Sequence, residues 1–134
     1  MVSLLDIPAT ILGLAHADVP NVYEGEDLSG LLMGDREETH REYIFSEQEP
    51  LGPFHQETDW RMVADKRWKY IWNYNDIEEL YDMAIDPGET VNLASDSAHS
   101  ERVAEMRGVL SQWMVRTGDK FTISREGGLP SEAT

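Results

Sequence analysis

Cysteine is absent from this 134-residue chain, which removes disulfide staples, thiolate metal sites and a cysteine nucleophile together. The redox compartment is therefore unreadable from the sequence. Basic residues are scarce as well: 11 Lys and Arg stand against 26 Asp and Glu, a formal charge of −15. A field of that sign repels phosphate backbones and anionic lipid, so neither nucleic acid nor a membrane is an expected partner. No apolar run approaches the ~20 residues of a spanning helix, and the first residues lack the basic start and apolar stretch of a signal peptide. The chain has no Gly-rich phosphate cradle, since Gly127-Gly128 stands alone. It has no His-x-x-x-His or Asp-x-Asp-x-Asp-Gly spacing for a metal, and no Gly-x-Ser-x-Gly elbow that would make Ser46 and His55 parts of a triad. No catalytic residue and no metal ligand is assigned to the chain on these grounds.

What is present suffices for one domain with a core. Hydrophobic residues make up 40% of the chain, with four Trp, five Tyr and three Phe. Residues 3–15 read as a short helix, with Asp6 as its cap and Pro8 in its first turn; Leu4, Ile7, Ile11 and Leu14 then share one face. That helix is nearly all apolar, as expected of a piece that packs on a larger body. A turn of helix at 28–32 is stopped by Gly34, and residues 42–46 read as a strand. The strongest β signal lies in 60–64, 68–73 and 79–83, with Trp68, Tyr70 and Trp72 on one face. The short connections make these strands antiparallel neighbours. In Asp86-Pro87-Gly88-Glu89 the composition predicts a turn, with Gly88 as the residue able to take positive φ. Val103, Met106, Leu110, Trp113 and Met114 mark an amphipathic helix, capped by Asp96 or Ser97 and ended by Gly118. Residues 120–134 have little periodicity and default to a surface extension. The fold class is α+β: a small antiparallel sheet of three or four strands packed against a long C-terminal helix, preceded by the N-terminal helix.

Charge is unevenly spread, at −11 for residues 1–60, +3 for 61–75 and −7 for 76–134. The basic stretch Arg61, Lys66, Arg67, Lys69 alternates with Trp60, Trp68, Tyr70 and Trp72. This resembles a stacking surface for single-stranded nucleic acid. In so acidic a chain, solvent-face residues of a hairpin are the better account, with room for one base to touch an anionic group. Of the four histidines, His55 lies in an inter-strand segment, 49–59, of the kind that carries function. It is the candidate substrate contact of the chain.

Three strings together resemble a family. Residues 3–15 are similar to the sulfatase segment V-S-L-x-D-[LI]-x-P-T-[LI]-L-x-L-A-G, with the proline displaced by one. Gly25 to Gly34 resembles G-x-S-L-x-P-L-L-x-G. Trp68-Lys69-Tyr70-Ile71 with Glu79 to Ala94 resembles K-Y-I…E-L-Y-D-L-x-x-D-P-x-E-x-x-N-L. The likeness runs from about residue 2 to 119. It implies the C-terminal region of a type I sulfatase, in the alkaline phosphatase superfamily and close to arylsulfatases and N-sulfoglucosamine sulfohydrolase. On that basis residues 1–34 would end the main domain, the first helix at the edge of a larger α/β sulfatase domain. Residues 35–119 would form the C-terminal sheet-and-helix subdomain and 120–134 an extension.

In such enzymes a formylglycine, made from the Cys or Ser of C/S-x-P-x-R, attacks sulfur beside a Ca²⁺ ion. Both groups belong upstream of the matching segment, and this chain contains no such motif. The resemblance therefore implies Ca and formylglycine for a parent enzyme and no cofactor in this chain. The implied partners are the N-terminal sulfatase catalytic domain of the same parent chain and, through it, a sulfated small molecule or glycan, with homo-oligomerisation left open. His55 would help to choose the substrate. A stand-alone interaction or sugar-binding module is the alternative from another class, and a phosphatase or phosphonate hydrolase parent is a second. A periplasmic or secreted parent fits the family, with a cytoplasmic one as the alternative.

Overall fold

In the computed structural model residues 1–49 and 59–123 are described, with 131–132 described as backbone. The chain forms two compact units, Met1–Ile44 and Phe45–Thr134.

The first unit pairs α1 (Asp6–Leu14) with α2 (Ser29–Met33). Asp6 does not cap α1 in the expected way. Leu5 holds the cap position, and the Asp6 carboxylate turns back to accept from the Ser3 N–H at 2.6 Å, the return half of a capping box. The same carboxylate accepts from the Glu26 N–H at 2.8 Å and from both terminal nitrogens of Arg41, at 2.7 and 2.6 Å. Thr10 adds a second staple: its hydroxyl donates to the Asp6 carbonyl and accepts from the Leu28 N–H. These bonds pull residues 25–28 against the helix, where only glycine fits at position 25, because a Cβ there would lie 1.8 Å from the Leu5 carbonyl oxygen. Asp6, Ala9 and Thr10 are the buried residues of α1. The apolar stripe is instead exposed, with Leu4 at 83% and Ile11 at 61%. Gly34 ends α2 in the left-handed region at φ 82°, as its position predicts.

The second unit is a four-stranded sheet in the order β1-β2-β3-β4, covered on one face by α3 (Ser100–Thr117). Strands β2 (Trp60–Ala64), β3 (Trp68–Asn73) and β4 (Glu79–Asp82) lie where the period-two pattern predicts. β1 (Ile44–Gln48) starts two residues later than expected. Both β2–β3 and β3–β4 pair antiparallel, with Val63 opposite Tyr70 and Tyr70 opposite Leu80. The β2–β3 hairpin closes on Asp65, whose side chain accepts from the Arg67 and Trp68 N–H groups. Trp68, Tyr70, Trp72, Val63 and Leu80 make the core under the helix, meeting Val103, Met106, Leu110 and Met114, all buried. Trp113 lies at the margin and stacks on Phe45, ring centroids 5.0 Å apart. Asp96 caps a 3₁₀ turn at Ser97–His99 that runs into α3, and Gly118 ends α3 at φ 71°. The 86–89 turn differs from expectation. Glu89, not Gly88, takes positive φ at 55°, and its carboxylate holds Lys69 Nζ at 2.7 Å. Beyond α3 the chain returns to the core: Phe121 and Ile123 are buried, and β5 (Phe121–Thr122) pairs antiparallel with β6 (Ser131–Glu132).

Candidate functional site at the base of the 49–59 segment

His55 lies outside the described residues, so the site is built from the two stems that carry it. One stem is Gln48, the last residue of β1, followed by Glu49; the other is Asp59 and the first residue of β2, Trp60. The two stems meet at Arg61. The sequence pattern puts this residue on a solvent face; the register puts it opposite Trp72 on the helix side of the sheet, and 1% of its side chain is exposed.

A buried guanidinium must use all its donors, and Arg61 does. Nε and Nη2 donate to the two oxygens of Asp119, at 2.5 and 3.2 Å. Nη1 donates to the carbonyls of Gln48 at 3.1 Å and Trp60 at 3.0 Å, and Nη2 reaches Glu49 Oε1 at 3.4 Å. Asp119 is positioned by the end of α3, where its N–H donates to the Met114 carbonyl just past Gly118. Its Oδ1 also accepts from the Phe121 N–H. Burial acts to raise the Asp119 carboxyl, and the Arg61 hydrogen bonds overcome it, holding the group below the usual carboxylate range. Lys120 forms an outer bridge, with Nζ 3.2 Å from Glu49 Oε1 and 3.5 Å from Asp59 Oδ1. Glu47 Oε2 lies 3.5 Å from Arg61 Nε, so Glu47, Glu49, Asp59 and Asp119 outnumber Arg61 and Lys120. This base is an electrostatic clamp, and its excess of carboxylates disfavours an anion at the stems themselves.

The other bases of the hairpin are held too. Arg67 forks onto Asp82 at 2.6–3.1 Å and Lys69 pairs with Glu89. Their aromatic neighbours Trp68, Tyr70 and Trp72 are buried in the core.

The motif residues that carry the family resemblance are bonded as scaffold. Asp82 receives Arg67 and the Ala84 N–H. Asp86 receives Thr90 and Val91. Asn92 accepts from the Leu80 and Ala94 N–H groups and donates to the Glu78 carbonyl, tying the 86–94 segment to β4.

Two clusters were invisible to sequence reasoning. One is the Arg61–Asp119 clamp, whose members stand 58 positions apart. The other joins Tyr70, Glu78 and Arg107: the Tyr70 hydroxyl donates to Glu78 Oε2 at 2.6 Å, and Arg107 clasps the same carboxylate. Buried chemistry of this kind leaves no periodic signal.

Among the described residues no group of three or more His, Asp or Glu converges to hold a metal ion, and the chain contains no cysteine. The described residues fit no calcium site, and the sequence holds no C/S-x-P-x-R motif from which a formylglycine could be made.

The fold and its motif staples define an α+β C-terminal subdomain of the sulfatase kind. Residues 1–116 match the family described as N-sulphoglucosamine sulphohydrolase, C-terminal, and the chain belongs to it. A Delta 4,5-hexuronate-2-O-sulfatase of Bacteroides thetaiotaomicron is 35% identical over 123 residues, 87% of this chain and 24% of that protein. A solved 2-O GAG sulfatase superposes with a TM-score of 0.76 at 31% identity, covering 96% of this chain and 27% of that one. A phosphonate monoester hydrolase from Silicibacter pomeroyi superposes with a TM-score of 0.65 at 26% identity, covering 96% and 28%. The chain spans about a quarter of the length of the curated sulfatases it matches.

Proposed function

We propose that this chain works as the C-terminal subdomain of an enzyme that hydrolyses sulfate esters or N-sulfates, completing its fold and part of its substrate cleft. The parent's formylglycine and Ca²⁺ would be held by the upstream catalytic domain, to which this chain contributes no ligand. The observation that carries the reading is the family match over residues 1–116 in a chain about a quarter the length of its sulfatase relatives. The exposed stripe Leu4, Ile7, Ile11 and Leu14 supports it, because a row of large apolar residues on one helix face asks for a covering surface. That cover would be the main α/β domain, with residues 1–34 as its edge and 35–119 as the subdomain proper. His55, in the segment between β1 and β2, would contact the sulfated substrate.

The test compares the isolated 134 residues with the parent enzyme on 4-nitrophenyl sulfate and on sulfated Δ4,5-unsaturated disaccharides, with Ca²⁺ added. The isolated chain should read as blank and the parent should turn over at least one. Turnover by the isolated chain would overturn the reading. So would a reading frame that stops immediately upstream of Met1, which would favour a stand-alone interaction or sugar-binding module.

A second reading is favoured by the superposition with the phosphonate monoester hydrolase: the parent cleaves phosphonate or phosphate esters, with the same subdomain in the same role. Parallel assays with 4-nitrophenyl phenylphosphonate decide between the two.

A further inference from the structure

The four-stranded sheet has a second face, turned away from α3. There the register sets Met62, Ile71 and Glu79 in one row across β2, β3 and β4. Trp60 stands opposite Asn73 in the row on one side, and Lys69 lies in the row on the other. An antiparallel sheet that turns a face to water ordinarily makes that face polar. Here Met62 and Ile71 meet at its centre beside the Trp60 indole, and all three are only partly buried. The six side chains line an open recess of about 210 Å³. Sites that enclose a drug-sized molecule run to roughly 300–1,000 Å³, so this one has room for a single ring and not for a chain.

The polar groups around the recess are held in place by one another. Asn73 Nδ2 donates to Glu79 Oε1 at 2.7 Å and to the Ile77 carbonyl at 2.9 Å. The Tyr81 hydroxyl donates to Glu79 Oε2, and Lys69 Nζ is tied to Glu89 Oε2 at 2.7 Å. The bond to Glu79, and then burial, push the Tyr81 phenol up to about 12, so at neutral pH it remains a donor and Glu79 an acceptor. Each Glu79 oxygen keeps a further lone pair, Asn73 keeps its carbonyl oxygen, and Lys69 keeps two N–H groups. Fixed donors and acceptors thus surround an apolar floor, which suits a ligand with one C–H face and a hydroxyl edge. Lys69 and Glu79 cancel in charge and Glu89 adds a negative one beside them, which disfavours a sulfate or carboxylate here.

We infer that this face of the sheet binds one uncharged pyranose unit of a glycan, with its C–H face on Trp60, Met62 and Ile71 and its hydroxyls on Glu79, Asn73 and Lys69. Such a site recognises sugar and not sulfate, and it does not depend on which ester the parent cleaves.

The tryptophans make the test selective, since Trp68 and Trp72 lie in the core and Trp113 stacks on Phe45. The 134-residue chain, with isotope-labelled tryptophan, is titrated by NMR with methyl β-D-glucopyranoside, methyl β-D-galactopyranoside and N-acetylglucosamine. N-acetylglucosamine 6-sulfate and cyclohexanol serve as controls. At least one uncharged sugar should shift the Trp60 indole N–H signal alone, with a Kd on the order of 1 mM, the scale expected for about a dozen heavy atoms. The sulfated sugar should bind at least about fivefold more weakly, and cyclohexanol should leave the signal unmoved. Glu79→Gln should weaken sugar binding about tenfold by removing an ionised acceptor, and Ile71→Glu should abolish it by placing a carboxylate on the floor. Unmoved Trp68 and Trp72 signals identify the folded variants. In the full-length parent the same signal, identified by its loss in Trp60→Phe, should respond to the same sugar.

No response to any of the three sugars at about 50 mM would overturn the inference. So would an equal response to cyclohexanol, which marks an apolar dimple only, or a tighter response to the sulfated sugar, which makes Lys69 an anion site. Undiminished binding in folded Glu79→Gln and Ile71→Glu would place the sugar elsewhere. A Trp60 signal that responds in the 134-residue chain and is silent in the parent would show the face covered by the main domain, and the inference would fall. None of these outcomes bears on the sulfatase reading, which turnover decides.

Discussion

Arg61 and Asp119, 58 positions apart, meet as a two-pronged ion pair with 1% and 2% of their side chains exposed. Removing one partner strands the other, which is costly because an uncompensated buried charge has neither water nor counter-ion. Asp119→Ala should lower the unfolding free energy by about 3 kcal/mol or more in urea titration, whereas Arg61→Met with Asp119→Leu should be close to neutral. Equal losses in the two would contradict the pairing.

The same pair predicts an acid limb. The carboxyl of Asp119 is held below its ordinary value in the folded chain, so its contribution to stability is present above the unfolded carboxyl pKa of about 3.9 and disappears as pH falls through the lower folded value. Thermal melts of the parent chain from pH 6 down to pH 2 should show a loss of stability below about pH 4. That loss should be smaller in the Arg61→Met, Asp119→Leu variant. Identical acid limbs would sink the assignment.

Tyr70 is a reporter at the other end of the scale. Its burial, and then its hydrogen bond to Glu78, raise the phenol well above its usual value, so ultraviolet titration should leave Tyr70 un-ionised through the ordinary tyrosine range near 10. The sign follows from linkage: the raised value stabilises the fold below the unfolded pKa, and that contribution is lost as pH rises through the folded one. Tyr70→Phe should cost on the order of 1 kcal/mol and leave the low-pH part of the phenolate titration unchanged.

Glycine 25 is predicted to be less replaceable than glycine 13. A Cβ at Gly25 would lie 1.8 Å from the Leu5 carbonyl oxygen, which is backbone; at Gly13 the obstacle is the Asp27 carboxylate, 2.2 Å away, which can swing aside. Gly25→Ala should cost about 2–3 kcal/mol and Gly13→Ala less, nearer 1, measured as hydrogen-exchange protection of α1 amides. A larger effect at Gly13 would show that Asp27, which accepts from the Ser29 N–H, is the fixed partner.

The exposed face of α1 gives a contrast between isolated chain and parent. Ile7→Lys and Ile11→Glu alter residues that are 52% and 61% exposed, so the isolated chain should keep its melting temperature and gain solubility. The parent enzyme should lose stability, because the same side chains would face the main domain. Unchanged parent stability would argue against a covered face.

Much of the fold was legible because periodicity is a local property. Alternation at 60–64 and 68–73 marked β2 and β3 to the residue, and the stripe from Val103 to Met114 marked α3 and its buried face. Gly34 and Gly118 marked two helix ends because only their left-handed backbone was needed there. β1 slipped by two residues where Glu42 and Tyr43 continue the pattern of the strand without being part of it. At Glu89 composition misled, since a carboxylate reaching Lys69 sits at the positive φ that Gly88 was expected to take.

The staples and clamps were a different matter. Asp6 looked like a cap, and the side chain instead gathers Ser3, Glu26 and Arg41, because what a carboxylate accepts depends on which donors the fold delivers. Arg61 looked like a solvent-face base, and strand register turned it inward toward Trp72. The period-two strands, the amphipathic last helix and the three motif strings were properties of the residues in order; the periods sufficed for the class of fold and the strings for the family. Which charges are buried, which pairs close across 58 positions and which two stems one guanidinium holds were settled only by tertiary packing, since long-range pairing depends on register and helix placement that no local pattern encodes.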